Sequence, residues 1–345
     1  MHLKVGFYIL FILTGLPKIA ITQTINFEPA ISKRINKFSA YPNLKVIDST
    51  SQSNLGKVKF GLYAKTLEVV VKPSLSEALQ KLSSSLLPIE PLSTDTLILL
   101  LYDFNFTTNA PYASLYFRGF FFLGRENKYR LVKVLDTLYE WENERLERTM
   151  LPHASDLFAD VLIDLNEQVN FSTENITHFR FDEMAHFLTR KKSENLLFSA
   201  KHYKEGIYPT VEDFLAHQPL DTMFLHGYIL KDMQKVSEFY FLDARGKKVA
   251  YVRSAFAVFS KGEWYRRTKN GWQKLQYEND DFVFEANYLC GGTTFSAPAM
   301  IAGGIMFGVP GVLLAGVATK TDETLCRYKM RIDPVNKRIR RIKRL

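Results

Sequence analysis

CGGTTFSAPAMIAGGIMFGVPGVLLAGVATKTDETLC, residues 290–326, is the stretch on which the reading of this chain turns. Within it, Ala297 to Thr319 carries no charged residue and is rich in glycine. An apolar run of about 20 residues is long enough to cross a ~30 Å hydrocarbon core as one helix. Pro298 and Pro310 interrupt it, and Gly303, Gly304, Gly308, Gly311 and Gly316 lower its helix propensity. Three readings follow. In the first, the run is a single membrane pass and Lys320 opens a basic cytoplasmic tail. In the second, Gly308-Val309-Pro310-Gly311 is a turn between two short apolar arms. Each arm rises about 15 Å as a helix, so the hairpin dips into a membrane or a partner without crossing. In the third, the hairpin is buried in the protein's own core. For a docking hairpin the contact residues are Ala297, Ile301, Ile305, Phe307, Pro310, Val312, Leu313 and Leu314.

The flanks favour the hairpin. DFVFEANYL before Cys290 reads as a strand. After Cys326, Tyr328, Met330 and Ile332 alternate with Arg327, Lys329 and Arg331, which is the period of a strand. Two such strands bring both ends of the insertion together, with the chain's two cysteines beside them. A single pass separates the cysteines by a membrane, and then no intrachain bond can form. In an oxidising compartment Cys290 and Cys326 are a disulfide candidate, whose loop closure stabilises by roughly 3–4 kcal/mol. Two free buried thiols are the alternative.

The N-terminus supports such a compartment. MHLK, then VGFYILFILTGL, then small residues near Ala20 and Thr22 make a secretory signal peptide over residues 1–22. No cysteine lies near that cleavage point, so it is not a lipoprotein signal. A hydrophobic share of 46% with 23% charged residues is that of a globular chain, and 345 residues suffice for about two domains. The formal charge is +9. From Arg327 to Arg344, nine Lys/Arg face one acid, Asp333, so this end supplies nearly all of it. Arg338, Arg340, Arg341, Lys343 and Arg344 form its densest part. Such an end suits anionic lipid or a polyanionic glycan, or is the solvated face of a terminal strand. Nucleic acid is excluded as a partner by export.

Residues 23–54 are polar and read as an extended arm. KVKFGLYAKTLEVVV then reads as one or two strands. Leu75, Ala78, Leu79 and Leu82 follow at helical spacing, with Ser74 or Ser76 as N-cap. Three strong strands come next, TLILLLYDFNFT, ASLYFRGFFFLG and KYRLVKVLDTLYEW, and then a helix within HASDLFADVLIDLNEQV. The fold class is therefore α+β. A β-α-β-β-β-α sandwich-like domain occupies 55–170, a helical connector 171–204, and a mainly antiparallel β-meander 205–345, with the apolar insertion 297–319 inside it. The element order of the first domain resembles that of auxiliary lipoproteins of ABC-type transporters. Asn105, Asn170 and Asn175 stand in N-x-S/T triplets, which matter only in a eukaryotic secreted chain.

The second domain opens with EGIYPTVEDFLAHQP. Through Gly206, Ile207, Tyr208, Thr210, Asp213, Phe214 and Pro219 it resembles a GIYxTxxDFxxxxP segment of uncharacterised exported envelope proteins of Bacteroidetes. There the segment precedes β-hairpins and a Gly-rich apolar insertion. The resemblance spans Glu205 to Ile342 and implies compartment and architecture, with no activity attached. The strongly basic end departs from it. Read physically, Thr210 caps a short helix and Pro219 stops it. Gly246, Gly262 and Gly271 then mark hairpin turns. Trp264 and Trp272 flank one turn, as core packing or as an exposed ledge.

Chemistry-bearing motifs are sparse. His178, Asp182, Glu183 and His186 crowd one short segment, but a lone E-x-x-H is a poor metal site. Glu278, Asp280 and Asp281 are adjacent carboxylates in a turn. There is no G-x-S-x-G, no Walker A loop and no dinucleotide fingerprint. The expectation is a non-enzymatic envelope protein in the periplasm or at the membrane, without cofactor or metal, docking to a membrane surface or another envelope protein. A single-pass membrane protein and an exported hydrolase are the alternatives.

Overall fold

The computed structural model describes residues 23–29, 43–50, 53–60, 65–86, 95–109, 112–142, 146–168, 177–220, 225–229, 235–242, 245–252, 254–268, 271–289 and 325–345. It is an α+β protein built on two large sheets.

Three long antiparallel strands form the centre of the first sheet: β5 (Thr96–Asn109), β6 (Tyr112–Arg125) and β7 (Lys128–Glu142). Their side chains alternate between two covered faces. Leu97, Leu99, Leu115, Phe117, Phe121 and Tyr139 pack beneath two helices, α1 (Leu75–Leu86) and α2 (Leu146–Gln168). Ile98, Leu100, Phe120 and Phe122 pack on the opposite face against the connector. Because both faces are covered, ASLYFRGFFFLG is buried almost end to end.

Beside β5 run β3 (Asn54–Phe60) and β4 (Lys65–Val70), an antiparallel pair. Two described pieces of the stretch expected as an extended arm belong to this sheet as well. β1 (Gln23–Asn26) pairs in parallel with β4, and β2 (Asn43–Asp48) pairs in parallel with the first half of β5. Leu44 and Val46 alternate inward along β2, a two-residue period too short to stand out in a polar segment. Parallel pairing to distant partners, rather than local propensity, makes these residues strands. The expected order from 55 to 170 is otherwise that of the fold, β3-β4-α1-β5-β6-β7-α2. Leu75, Ala78, Leu79, Leu82 and Leu86 are buried along α1, and the Ser74 hydroxyl accepts the Glu77 N–H at 3.2 Å.

The connector holds β8 (His178–Phe179), α3 (Phe181–Ala185), α4 (Phe187–Ser193) and α5 (Leu196–Ser199). Met184, Phe187 and Leu188 bury it against the first sheet.

The second sheet begins with β9 (Gly206–Tyr208) and the short helix α6 (Val211–Leu215). Its other strands are β10 (Leu225–Ile229), β11 (Lys235–Leu242), β12 (Lys248–Tyr251), β13 (Ala257–Ser260), β14 (Glu263–Thr268), β15 (Gly271–Glu278), β16 (Asp281–Leu289), β17 (Leu325–Asp333) and β18 (Arg338–Arg344). The order is β18-β17-β16-β15-β14-β13-β9, and β11 joins β15 while carrying β10 and β12. KVAYVRSAFAVF, which reads as one strand, is two. β12 pairs β11, whereas β13 lies between β9 and β14. Trp264 and Trp272 are both core residues, in separate clusters. Trp264 packs with Tyr208, Phe214 and Phe259, and Trp272 with Phe239.

Candidate functional site

The antiparallel ladder of β16 and β17 runs without a break from Val283↔Arg331 to Leu289↔Leu325. Leu289 and Leu325, the residues that flank segment 290–324, therefore lie side by side. The docking residues read from sequence, Ala297, Ile301, Ile305, Phe307, Pro310, Val312, Leu313 and Leu314, lie outside the described residues, as does Cys290. Cys326 is buried, and the Arg344 guanidinium donates to its sulfur. Among the described residues, no helix is long and apolar enough to cross a membrane.

The basic end is an edge strand. β18 pairs β17 from Asp333↔Arg338 to Tyr328↔Arg344. Two of its five basic side chains lie beside one acid from the first sheet. Arg341 and Arg344 lie 3.6 and 3.7 Å from Glu140 on β7, and the Arg344 guanidinium covers the Tyr112 ring at 3.5 Å. On β17, Arg327 pairs with Glu285 and Lys329 with Glu278. Arg338 and Lys343 point to solvent.

Between the two sheets lies a buried ionic seam. Arg331 donates to Asp136 at 2.5 Å and approaches Asp281 at 3.4 Å and Asp103 at 3.8 Å. Arg118 meets Asp281 at 3.3 Å, and Lys192 of the connector reaches the same carboxylate at 3.0 Å. The Tyr116 hydroxyl donates to Asp136 at 2.7 Å. Farther along, the Tyr328 hydroxyl donates to Glu140 at 2.9 Å. Burial alone would raise the Asp136 pKa. The Arg331 and Arg118 charges and the Tyr116 hydrogen bond outweigh it and hold the carboxyl below its ordinary value. Asp103 goes the other way: burial, with the nearby Asp136 and Asp281, outweighs the two arginines and raises it. Burial also pushes the Tyr116 phenol well up, so it stays a donor. These groups form an electrostatic clasp between β6–β7 and β16–β17.

Sequence reasoning passed over this clasp. Its signal is a charge at an inward position of an apolar strand: Arg118 between Phe117 and Phe120, and Asp136 between Leu135 and Leu138. Asp281, grouped in sequence with Glu278 and Asp280, is separated from them by function. It joins the clasp, Glu278 takes Lys329, and Asp280 occupies a left-handed turn position at φ 61°. The His178 cluster is dispersed. Glu183 accepts the Arg180 N–H at 2.7 Å and lies 3.7 Å from Arg190, while Asp182 pairs with Arg180. Among the described residues no group of three or more potential metal ligands assembles.

The GIYPTVEDFLAHQP segment forms a self-supporting corner. Gly206 adopts φ 146°, and a Cβ there would stand 2.8 Å from both the Leu220 carbonyl oxygen and Pro219 Cβ. The Tyr208 hydroxyl donates to the Lys204 carbonyl at 2.8 Å. Thr210 and Asp213 form a capping box at the start of α6, and Phe214 is fully buried. His217, at φ 53°, stacks on Tyr208 and accepts the Lys204 N–H through Nε2 at 2.9 Å. Burial, then the Lys204 charge, lowers its pKa. Each matched residue of the segment serves backbone geometry or packing.

No family model and no curated protein matches this chain. Among solved structures, protein XCC0632 from Xanthomonas campestris, of the family designated DUF330, aligns with 11% sequence identity and a TM-score of 0.28. The alignment covers 42% of this chain and 92% of that one.

Proposed function

We propose that this chain is an exported cell-envelope protein with a structural or interaction role, presenting residues 297–319 to a membrane or to another envelope protein. The observation that carries the proposal is the pairing of β16 with β17 up to Leu289↔Leu325. It favours a re-entrant or docking hairpin over a single pass. Only residues 320–324 separate Thr319 from β17, and 290–296 separate β16 from Ala297. At roughly 3.5 Å per residue these linkers reach about 18 and 25 Å, less than the ~30 Å core that one of them would have to recross. The signal-like N-terminus and the envelope-protein resemblance of 205–342 support export.

Fractionation of native envelopes tests this reading. The full chain is expected with the membrane or with a membrane-bound partner, and a variant lacking 297–319 in the soluble fraction. Recovery of the intact chain in the soluble fraction at low salt would sink the idea. Intact mass with thiols blocked at lysis adds a second test: a Cys290–Cys326 bond is expected, and two blocked thiols would remove that support.

A further inference from the structure

We propose that the outer edge of β7 pairs with β7 of a second copy of this chain, antiparallel and with Thr137 on the two-fold axis, so that the first sheets of two molecules join into one. The inference is independent of what residues 297–319 enter. β7 is bonded to β6 along its whole length, from Tyr112↔Glu142 to Arg125↔Lys128. On its other side β8 pairs only with Tyr129 and Arg130. Along 131–142, no backbone group of the described residues pairs with that side. A row of outward N–H and C=O groups of this length is a template for another strand.

Every other strand with one partner among the described residues is blunted. β1, β2, β8, β10 and β12 have two to six residues, and five of the seven residues of β18 are basic. Short length and basic side chains are the usual defences of an edge. β7 lacks both. Residues 134–141 include no Lys or Arg, and their two acids, Asp136 and Glu140, are engaged by arginines of the second sheet. Half-buried apolar side chains border the edge on both faces. Val132 and Trp141 lie against the core beneath the helices, and Leu131 and Val134 against the core beneath the connector.

The edge complements itself in one register. In an antiparallel pair about a two-fold axis, one residue faces its own copy and its neighbours exchange partners. Thr137 is the midpoint of 132–142, so centring there uses nearly the whole edge. It sets Thr137 against Thr137, Leu135 against Tyr139 and Val134 against Glu140. A Thr–Thr pair is favourable, and no like charges meet. Centring one residue earlier puts Asp136 against Asp136, and one residue later puts Asp136 against Glu140, both destabilising. Beneath the strand α2 runs antiparallel to it: Trp141 stacks on His153, with ring centroids 6.0 Å apart, and Lys133 is bonded to Asp164. The Thr137 register sets Lys133 of one copy against Trp141 of the other, and brings the other copy's His153 level with Asp164. The ion pair at one end of the edge thus meets the ring stack at the other, which suits the edge to its own copy.

Disulfide trapping in native envelopes tests the proposal. On oxidation, Thr137→Cys is expected to give a linked dimer about tenfold above Lys128→Cys, because cross-strand Cβ atoms on the axis come within reach of a disulfide. In this register the two Lys128 positions are roughly 60 Å apart. Wild type, which keeps Cys290 and Cys326, sets the background. Light scattering of the full-length protein in detergent is the second readout. Wild type is expected at twice the chain mass. Thr137→Lys, which puts two ammonium groups together on the axis, is expected to weaken the dimer about tenfold, with circular dichroism checking the fold. If Thr137→Cys links no better than Lys128→Cys, the proposal is overturned whatever the mass in detergent. A dimer that Thr137→Lys leaves unchanged also overturns it, because that dimer uses another surface.

Discussion

Asp136 stands at the centre of the clasp. It is buried with one arginine at 2.5 Å and a tyrosine hydroxyl at 2.7 Å. Removing one partner of a buried pair leaves the other uncompensated, typically at about 3–5 kcal/mol. Asp136→Asn should lose stability of that order in urea denaturation. Asp103→Asn should be near neutral or slightly stabilising, because its raised pKa shows that the fold disfavours the ionised form. Acid dependence follows the same signs. Asp136, lowered in the fold, contributes stability that is present above the ordinary carboxylate value of 3.8 and is lost as pH falls below it. Asp103 works oppositely, its cost easing as pH falls through its raised value. His217 sets a separate window. With its pKa lowered, the unfolded chain takes up the proton first, so stability should fall as pH drops below about 6.5. His217→Gln should flatten that slope, as measured by thermal denaturation across pH 5 to 8.

Elements divide by whether their signal is local. α1 is legible because its apolar spacing and its Ser74 cap lie within the helix itself. β17 is legible because the first half of it has one buried face and alternation survives in the sequence, and β16 is legible through its run of strand-forming residues, Phe282-Val283-Phe284. α6 is legible through Thr210. Thr210→Ala should cost about 1 kcal/mol by removing the acceptor for the Asp213 N–H, a loss readable as a lowered denaturation midpoint. β1 and β2 are not legible, since parallel partners more than 40 residues away make them strands. The break between β12 and β13 is hidden for a related reason: each half answers to a different neighbour. The clasp escaped because ion pairs across sheets leave no spacing rule. Only the misfit of Arg118 and Asp136 within apolar strands records them. β18 looks like a charged tail because arginines dominate its composition, although Glu140 and Asp333 give it a fixed place.

At the scale of the whole molecule, the two sheets meet through the clasp, the connector and a small apolar contact where Tyr116 and Leu138 join the second core. Wild type should unfold in one transition. In D136N/E140Q the tryptophan signal, dominated by Trp264 and Trp272 of the second sheet, should move to lower urea than the far-UV circular dichroism change. Coincident curves in that variant would refute the clasp as the coupling between sheets. The clasp also has a timetable. Asp136 and Arg331 are 195 positions apart. At a synthesis rate of about 5–20 residues per second, the carboxylate leaves the ribosome roughly 10–40 seconds before its arginine. During that interval β6 and β7 offer Asp136, Glu140 and Tyr116 with β17 and β18 not yet made. Any basic, strand-forming peptide that arrives first can occupy that strip, so misassembly between two nascent copies is the failure this architecture invites.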